Sequence, residues 1–468
     1  MLVVLDTARA DLVGARDDSA FAQLARRGRR FHRAVAPAPW TLPSHASILS
    51  GLRPSEHGVT GAAVLPSAGS RTPRSARSRI EALPRWLPTS LRRSGFATFC
   101  ASGNPWVGNA VGLTTGFETV FEAWRSAPLP KLTDPLSLEG DRSGVARRAA
   151  VYARRALGVG DGGAAATLSV FRSFLDGQRD RAFFGFFNVM EPHAPYAPPN
   201  GHGGRRGLAA LRAVRRWDAG RMLRYCTGQE EIADHELALL RSQYRAEISY
   251  TDAWLGRFLQ TLDDANLLEE TVVAVTADHG ENLGEHHRLS HVLSMHETLL
   301  HVPLTVAGPG VEAGEEHVPV GLTALSSTLL AALDGRWQDP AAAGTPVAEY
   351  ESAAAQVSGA RRLDEKVPPA LRDELRARWV AAYEGSLKYT ASSDGRERLV
   401  DLEADPAERD DVAAQHPEAL RRLRGLRGRW AGDAPWAADG PAPDDAGENG
   451  GAALDAEIAR HLEGLGYL

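Results

Sequence analysis

The chain has 468 residues, 43% of them hydrophobic and 24% charged, with a formal net charge of −6. That is ample material for a large core, and it lacks the basic excess that would hold a polyanion, so nucleic acid is excluded as a first expectation. Its two cysteines, Cys100 and Cys226, exclude a disulfide framework and a cysteine-built zinc cluster.

The opening run MLVVLD is continuously apolar and ends in a carboxylate, which predicts a buried parallel strand with Asp6 at its C-terminal end. SAFAQLARRG follows with a helical period and Gly28 as its stop, and WTLPSHASILSG (40–51) reads as a small-residue helix with Thr41 at its N-terminus. PRWLPTSLRRSG is a further helix stopped by Gly95. FFGFFNVM (183–190) is the second strand, and the polar segment EPHAPYAPP follows it at once. The long helical stretch RSQYRAEISYTDAWLGRFLQTLDDANL leads into a third strand, TVVAVTADHGE (271–281), tipped by Asp278 and His279. HVPLTVAGPG (301–310) is a fourth strand without a polar tip. Strands alternating with helices predict an α/β fold around a mostly parallel central sheet.

Arg-, Gly- and Ala-rich insertions at 125–180 and 200–240 receive no role. After about residue 345 the pattern changes to short alternating strands around an SDG turn, followed by the amphipathic helix HPEALRRLRGLRGRW. The expected domains are therefore a catalytic unit at 1–344, a small C-terminal α+β lobe at 345–430, and a flexible linker with a closing helix at 431–468. MLVVL is too short for a signal segment, and no stretch reaches eighteen apolar residues. The expectation is a soluble, cytoplasmic protein without a transmembrane segment, although a start site placed too late would hide an export signal. Nothing in the sequence assigns an oligomeric state.

Ligands of such sheets bind beyond the carboxyl ends of the strands, where Asp6, His193, Asp278 and His279 fall. Asp6, Thr41, Asp278 and His279 together offer two carboxylates, a hydroxyl and an imidazole, a set suited to one divalent cation. Such a cation lowers the pKa of a bound hydroxyl, making Thr41 a nucleophile, and neutralises a tetrahedral oxyanion such as phosphate or sulfate. Each residue alone has an ordinary structural reading; their coincidence carries the argument. His193 and His291 are assigned to the substrate, protonating a leaving alkoxide or clamping nonbridging oxygens. His45, Asn104, His286 and Arg9 complete the expected substrate-binding set. Asp252 has no Asp-x-x-x-His partner, since Gly256 stands four residues on, so it is read as structural and the metal count as one.

DTARAD, WTLPSHASILSGLRPSEHGV, FNVMEPHAPYAPP, TADHGENLGEHHRLSH and HVPL, in this order, resemble the sulfatase family of the alkaline-phosphatase superfamily, and LVDLEADPAER and LEGLGYL resemble its small lobe and closing helix. The resemblance implies an alkaline-phosphatase-like α/β sandwich, one divalent cation, and hydrolysis of sulfate or phosphate esters of small molecules or glycans. It also implies that Asp6, Asp278 and His279 are metal ligands, Thr41 the nucleophile, and His193 a substrate contact. Calcium is the family habit, whereas an imidazole and a hydroxyl suit manganese or zinc.

The departures are chemical. Where the family carries Cys or Ser, oxidised to formylglycine, this chain has Thr41, which cannot undergo that oxidation. Asp278 is followed by His279 rather than Asn, and His291 stands where a family Lys is expected, while FATFCASGNPW offers Asn104 in place of another. A formylglycine hydrate expels sulfate by collapsing to the aldehyde; a Thr ester must instead be cleared by a second in-line displacement. That favours phosphate or phosphonate esters handled through a phospho-Thr41 intermediate. The alternatives are a transferase of phosphoglycerol or phosphoethanolamine groups and a catalytically silent glycan-binding relative.

Overall fold

The computed structural model describes residues 1–60, 76–126, 161–178, 181–204, 219–333, 335–352 and 376–430. The expected linker and closing helix at 431–468 lie outside these residues, as do parts of the two insertions.

The central sheet is built from β1 (Leu2–Leu5), β2 (Gly28–Val35), β3 (Ala97–Ser102), β4 (Thr119–Glu122), β5 (Phe183–Val189) and β6 (Val273–Thr276). After a small hairpin, β7 (Asn282–Leu283) with β8 (Leu289–Ser290), the sheet gains β9 (His301–Ala307), β10 (Gly314–Glu316) and β11 (Val320–Gly321). Their order is β10-β2-β9-β6-β1-β5-β3-β4, with β11 also on β2. Every pairing is parallel except the two made by β9, so the sheet is mixed but mostly parallel.

All four predicted strands form, and β9 runs opposite to the others. Sequence pattern did not reveal β2, because Arg29, Arg30, His32 and Arg33 interrupt its apolar residues and only Phe31, Ala34 and Val35 reach the core. A strand near a sheet edge can leave long polar side chains in solvent, so its hydrophobic signal is weak. Gly28 ends the helix α1 (Ala20–Arg26) as expected and also opens β2, where any Cβ would collide with the Val306 carbonyl and the Ala307 backbone of β9.

Helices cover both faces. In β5, Phe187 packs on Phe171, Trp254 and Phe258, whereas its neighbour Phe186 meets His45 of the helix α2 (Thr41–Ser50). Successive strand residues point to opposite faces, so the helices carrying Phe171 and Phe258 lie across the sheet from α2. Phe258 belongs to the long helix Asp234–Asp264, whose buried Leu237, Leu240, Tyr244, Ile248, Leu255, Phe258 and Leu262 recur at three- and four-residue spacing. Asp252 of this helix accepts hydrogen bonds from the Ala20 and Phe21 amides at 3.0 and 3.1 Å, satisfying the first turn of α1 and tying the two helices together.

The C-terminal lobe is an antiparallel sheet of β12 (Val347–Tyr350), β13 (Trp379–Glu384), β14 (Leu387–Ser392) and β15 (Glu397–Asp401), with the helix Pro417–Trp430 burying Leu420 and Leu423 on Val380, Tyr389 and Leu399. The SDG turn joins β14 to β15 as expected, with Gly395 at a φ of 92°. Lys388 of β14 is fully buried and donates to the Met295 carbonyl at 2.6 Å and to Glu297 and Glu408 at 2.8 Å each, which binds the lobe to the segment after His291. Removing one partner of such a buried network leaves uncompensated charge, so Lys388→Met is expected to cost about 3–5 kcal/mol. An unchanged midpoint in urea denaturation would overturn this role.

Candidate active site

The site arises from register. β1 lies between β5 and β6, with Leu5 opposite Val189 and Val4 opposite Thr276, so the residues that follow the three strands emerge together at one sheet edge. The Asp6 amide still donates to the Val189 carbonyl at 2.9 Å, which fixes where its side chain starts.

Asp6 and Asp278 are both fully buried. Asp6 Oδ2 accepts from the side-chain amides of Asn104 at 2.8 Å and Asn188 at 2.9 Å. Asp278 Oδ1 accepts from the backbone amides of Thr7 at 3.1 Å and His279 at 3.0 Å. The other oxygen of each, Asp6 Oδ1 and Asp278 Oδ2, is buried with no hydrogen-bond partner. A dry, unsatisfied carboxylate oxygen is costly, and two close together repel. Burial first, and then the charge of Asp6, push the Asp278 carboxyl well above the usual carboxylate range.

His279 completes the group. Its Nδ1–H donates to the Gly280 carbonyl at 2.8 Å, which leaves Nε2 as the lone-pair nitrogen, and burial holds the ring neutral by driving its pKa well below the ordinary imidazole value. Ligand atoms of Asp6, Asp278 and His279 lie within 4.8 Å of one another. Two orphaned anionic oxygens and an oriented neutral imidazole fit a divalent cation, and such an ion would offset the repulsion that this arrangement builds in.

Thr41 opens α2 directly after the extended Trp40, and its Oγ1 lies 3.4 Å from His279 Nε2. Ser44 Oγ donates to the Asp278 carbonyl at 2.6 Å, so the first turn of α2 is bolted to the strand tip that carries two of the ligand groups. Gly280 sits where the chain turns away. A Cβ there would fall inside contact distance of the Thr298 carbonyl oxygen, while the Gly280 amide donates to Leu299 at 2.8 Å. Gly280→Ala is expected to destabilise the protein by about 1–3 kcal/mol through overpacking against backbone. A thermal midpoint equal to that of the wild type would contradict the close approach.

The histidines form a row. The His193 ring stands 5.1 Å from that of His291, which in turn stands 4.7 Å from His279. His193 donates through Nδ1 to the Ala194 carbonyl, and His291 Nδ1 faces Glu281 Oε1 at 3.3 Å. Burial, the largest influence, lowers the His193 pKa.

The remaining sequence-assigned residues are placed differently. His45 is fully buried in α2, with Nδ1 donating to the Thr41 carbonyl at 2.9 Å and Nε2 accepting from Asn188 at 3.4 Å, so both ring nitrogens are committed within the protein. Asn104 supports Asp6 and accepts from the Trp106 amide at 2.9 Å. The Arg9 guanidinium is engaged by Asp11, by Glu285 at 2.7 Å and by the Glu281 carbonyl at 3.2 Å. His286 stacks on His296 with ring centroids 3.7 Å apart.

Asn188, Glu281 and Thr7 were not foreseen. A lone amide within FFGFFNVM was a readable signal for Asn188, and the Glu that follows Asp-His-Gly was in plain view. Thr7 gave no signal: it holds a left-handed φ of 59°, which lets its amide reach Asp278.

A mixed, mostly parallel sheet that gathers two carboxylates, an imidazole and a helix-borne hydroxyl at its carboxyl edge is the layout of alkaline-phosphatase-like hydrolases. The sulfatase family model matches residues 1–335, and the chain belongs to the sulfatase family, a family of metal-dependent ester hydrolases. Arylsulfatase K of Homo sapiens is 33% identical over 214 residues, covering 42% of this chain and 38% of that protein. Choline-sulfatase of Rhizobium meliloti is 31% identical over 183 residues, covering 39% of this chain and 35% of that protein. These matches thus span less than two fifths of the relatives' own length. Among solved structures, the phosphonate monoester hydrolase of Agrobacterium radiobacter superposes with a TM-score of 0.62 at 18% identity, covering 92% of this chain and 94% of that one. The corresponding enzyme from Silicibacter pomeroyi gives 0.60 at 18% identity, covering 93% and 96%.

Proposed function

We propose that the chain is a single-metal ester hydrolase in which Thr41 is the nucleophile and the preferred substrate is a phosphate diester or phosphonate ester. The observation that carries this reading is the position of Thr41 Oγ1, 3.4 Å from His279 Nε2 and beside the buried Asp6–Asp278–His279 group.

Asp6, Asp278 and His279 would hold the ion, with Thr41 Oγ1 able to join them. When bound, a divalent cation lowers the pKa of the Thr41 hydroxyl and neutralises charge on the substrate's nonbridging oxygens. The N-terminal turn of α2 adds its dipole at the same point. Thr41 Oγ1 bonds to phosphorus as the ester oxygen departs, while His193 or His291 takes up the Thr41 proton and passes it to that oxygen. Water then displaces Thr41 in line and gives a proton back to the Thr41 oxygen, which releases the phosphate monoester from a diester, or the phosphonate from its ester, and restores the hydroxyl. Asn104 and Asn188 keep the Asp6 carboxylate aimed through both halves of the cycle.

A second reading, sulfate esters, is favoured by the relatives named arylsulfatase and choline-sulfatase. A Thr sulfate ester lacks the aldehyde exit and needs the same in-line displacement at sulfur, a harder step, which is why phosphorus esters are preferred here.

The test is a panel of aryl sulfate, phosphate monoester, phosphodiester and phosphonate substrates turned over by wild type and Thr41→Ala. Phosphodiester or phosphonate turnover that Thr41→Ala loses supports the reading. Turnover confined to aryl sulfate overturns the substrate preference, and equal turnover by both proteins removes Thr41 as nucleophile.

A further inference from the structure

A second group of side chains of metal-ligand type lies at the β10–β2 edge of the sheet. Parallel pairing sets Arg30 beside Glu315 and Phe31 beside Glu316, so the next positions, His32 and His317, continue the same register as cross-strand neighbours. Residues two apart on a strand share a face, which brings Glu315, His317 and His32 together on one surface. Their ligand atoms all lie within 4.8 Å of one another. Glu315 Oε2 is 3.4 Å from His32 Nε2 and 3.9 Å from His317 Nε2, and the two imidazoles stack with centroids 4.4 Å apart and planes 4° from parallel.

His32 supplies an independent observation. Its Nε2 is shielded from solvent and makes no hydrogen bond, although the ring as a whole is 29% exposed. Its position is fixed from behind, because the His301 ring donates to the His32 carbonyl at 2.7 Å. On the other face of the same two strands, Arg29 bridges Glu316 at 2.8 Å and Asp339 at 2.9 Å, which clamps β10 to β2 and sets the donors' spacing in advance.

We propose that His32, Glu315 and His317 form a second divalent-metal site, specific for a borderline transition ion of the zinc class, that pins the edge strand β10 to β2. Two imidazoles and one carboxylate match the ligand types that zinc prefers, with water completing the tetrahedron. Calcium is disfavoured, since it seeks six or more oxygens and this group offers a single carboxylate. Glu315 and His317 are 62% and 71% exposed, so the ion has open access and small side-chain rotations bring the stacked nitrogens onto one centre. The site is separate from the ester chemistry, because β9 and β6 stand between β2 and β1 in the sheet.

The experiment is calorimetric titration of the chelator-stripped full chain with zinc, run on wild type, His317→Ala and Asp278→Asn. The expected result is two ions bound by wild type and one by each variant. The zinc-dependent rise in melting temperature persists in Asp278→Asn and is smaller in His317→Ala, whose ester turnover matches wild type. Glu315→Gln is expected to weaken the second event by more than about tenfold. Equal stoichiometry in wild type and His317→Ala overturns the site, as does a wild-type protein whose zinc binding vanishes entirely with Asp278→Asn.

Discussion

Thr41→Ala is expected to lower kcat/KM by at least about a thousandfold while leaving the fold intact. In the proposed mechanism Thr41 is the covalent nucleophile, so its loss removes the whole two-step route rather than one contact and belongs to the severe class of active-site substitutions. The change deletes a hydroxyl and a methyl at the first position of α2, where the helix is already held by Ser44 on the Asp278 carbonyl. Circular dichroism and the melting temperature are therefore expected to stay near those of wild type, separating lost chemistry from lost structure. Thr41→Ser keeps the hydroxyl and is expected to retain part of the rate. Substrate turnover by Thr41→Ala within tenfold of wild type would remove the nucleophile from this account.

Asp278→Asn is expected to act in opposite directions on activity and on metal-free stability. Turnover falls by at least about a hundredfold, because in the proposed site the substitution removes one of the two charged groups that would hold the cation. Stability of the chelated protein rises, because the buried Asp278 carboxylate faces Asp6 and its Oδ2 accepts no hydrogen bond. A rise of about 2–4 °C in melting temperature is the expected scale.

The pH dependence follows from the same shift. Asp278 has a raised folded-state pKa, so in the metal-free range above the ordinary carboxylate pKa the folded protein holds a proton that the unfolded chain has released. Stability of the metal-free protein is then greatest below the unfolded pKa and declines as pH climbs toward the folded value. Added divalent ion is expected to cancel that decline, and Asp278→Asn to flatten it. A melting temperature that is insensitive to both chelator and this substitution would show that no ion relieves the pair.

These expectations rest on parts of the chain that differ in how openly they could be read. MLVVLD, FFGFFNVM and the DHG strand declare themselves because a strand covered on both faces must be apolar along its length and can turn polar only where it leaves the sheet. The change of polarity at Asp6 and Asp278 is thus a direct trace of the sheet edge. The same reasoning fails for β2, whose charged residues look outward, and for Asn188, whose amide is buried inside an aromatic strand because Asp6 and His45 lie beside it.

From the residue order alone one could obtain the α/β class, the family, the small C-terminal lobe, and the identities of the groups at the strand tips, since each leaves a periodicity or a motif along the chain. Which of those groups meet was settled by strand register and helix placement. These leave Asp6, Asp278 and His279 sharing one buried space, and they commit Arg9, His45 and Asn104 to partners within the protein. They also bring His32 beside His317, 285 positions apart in the chain. The reason is physical: hydrophobic pattern records which face of an element is buried, whereas contact between polar tips depends on how separate strands align, a relation that no local stretch of sequence encodes.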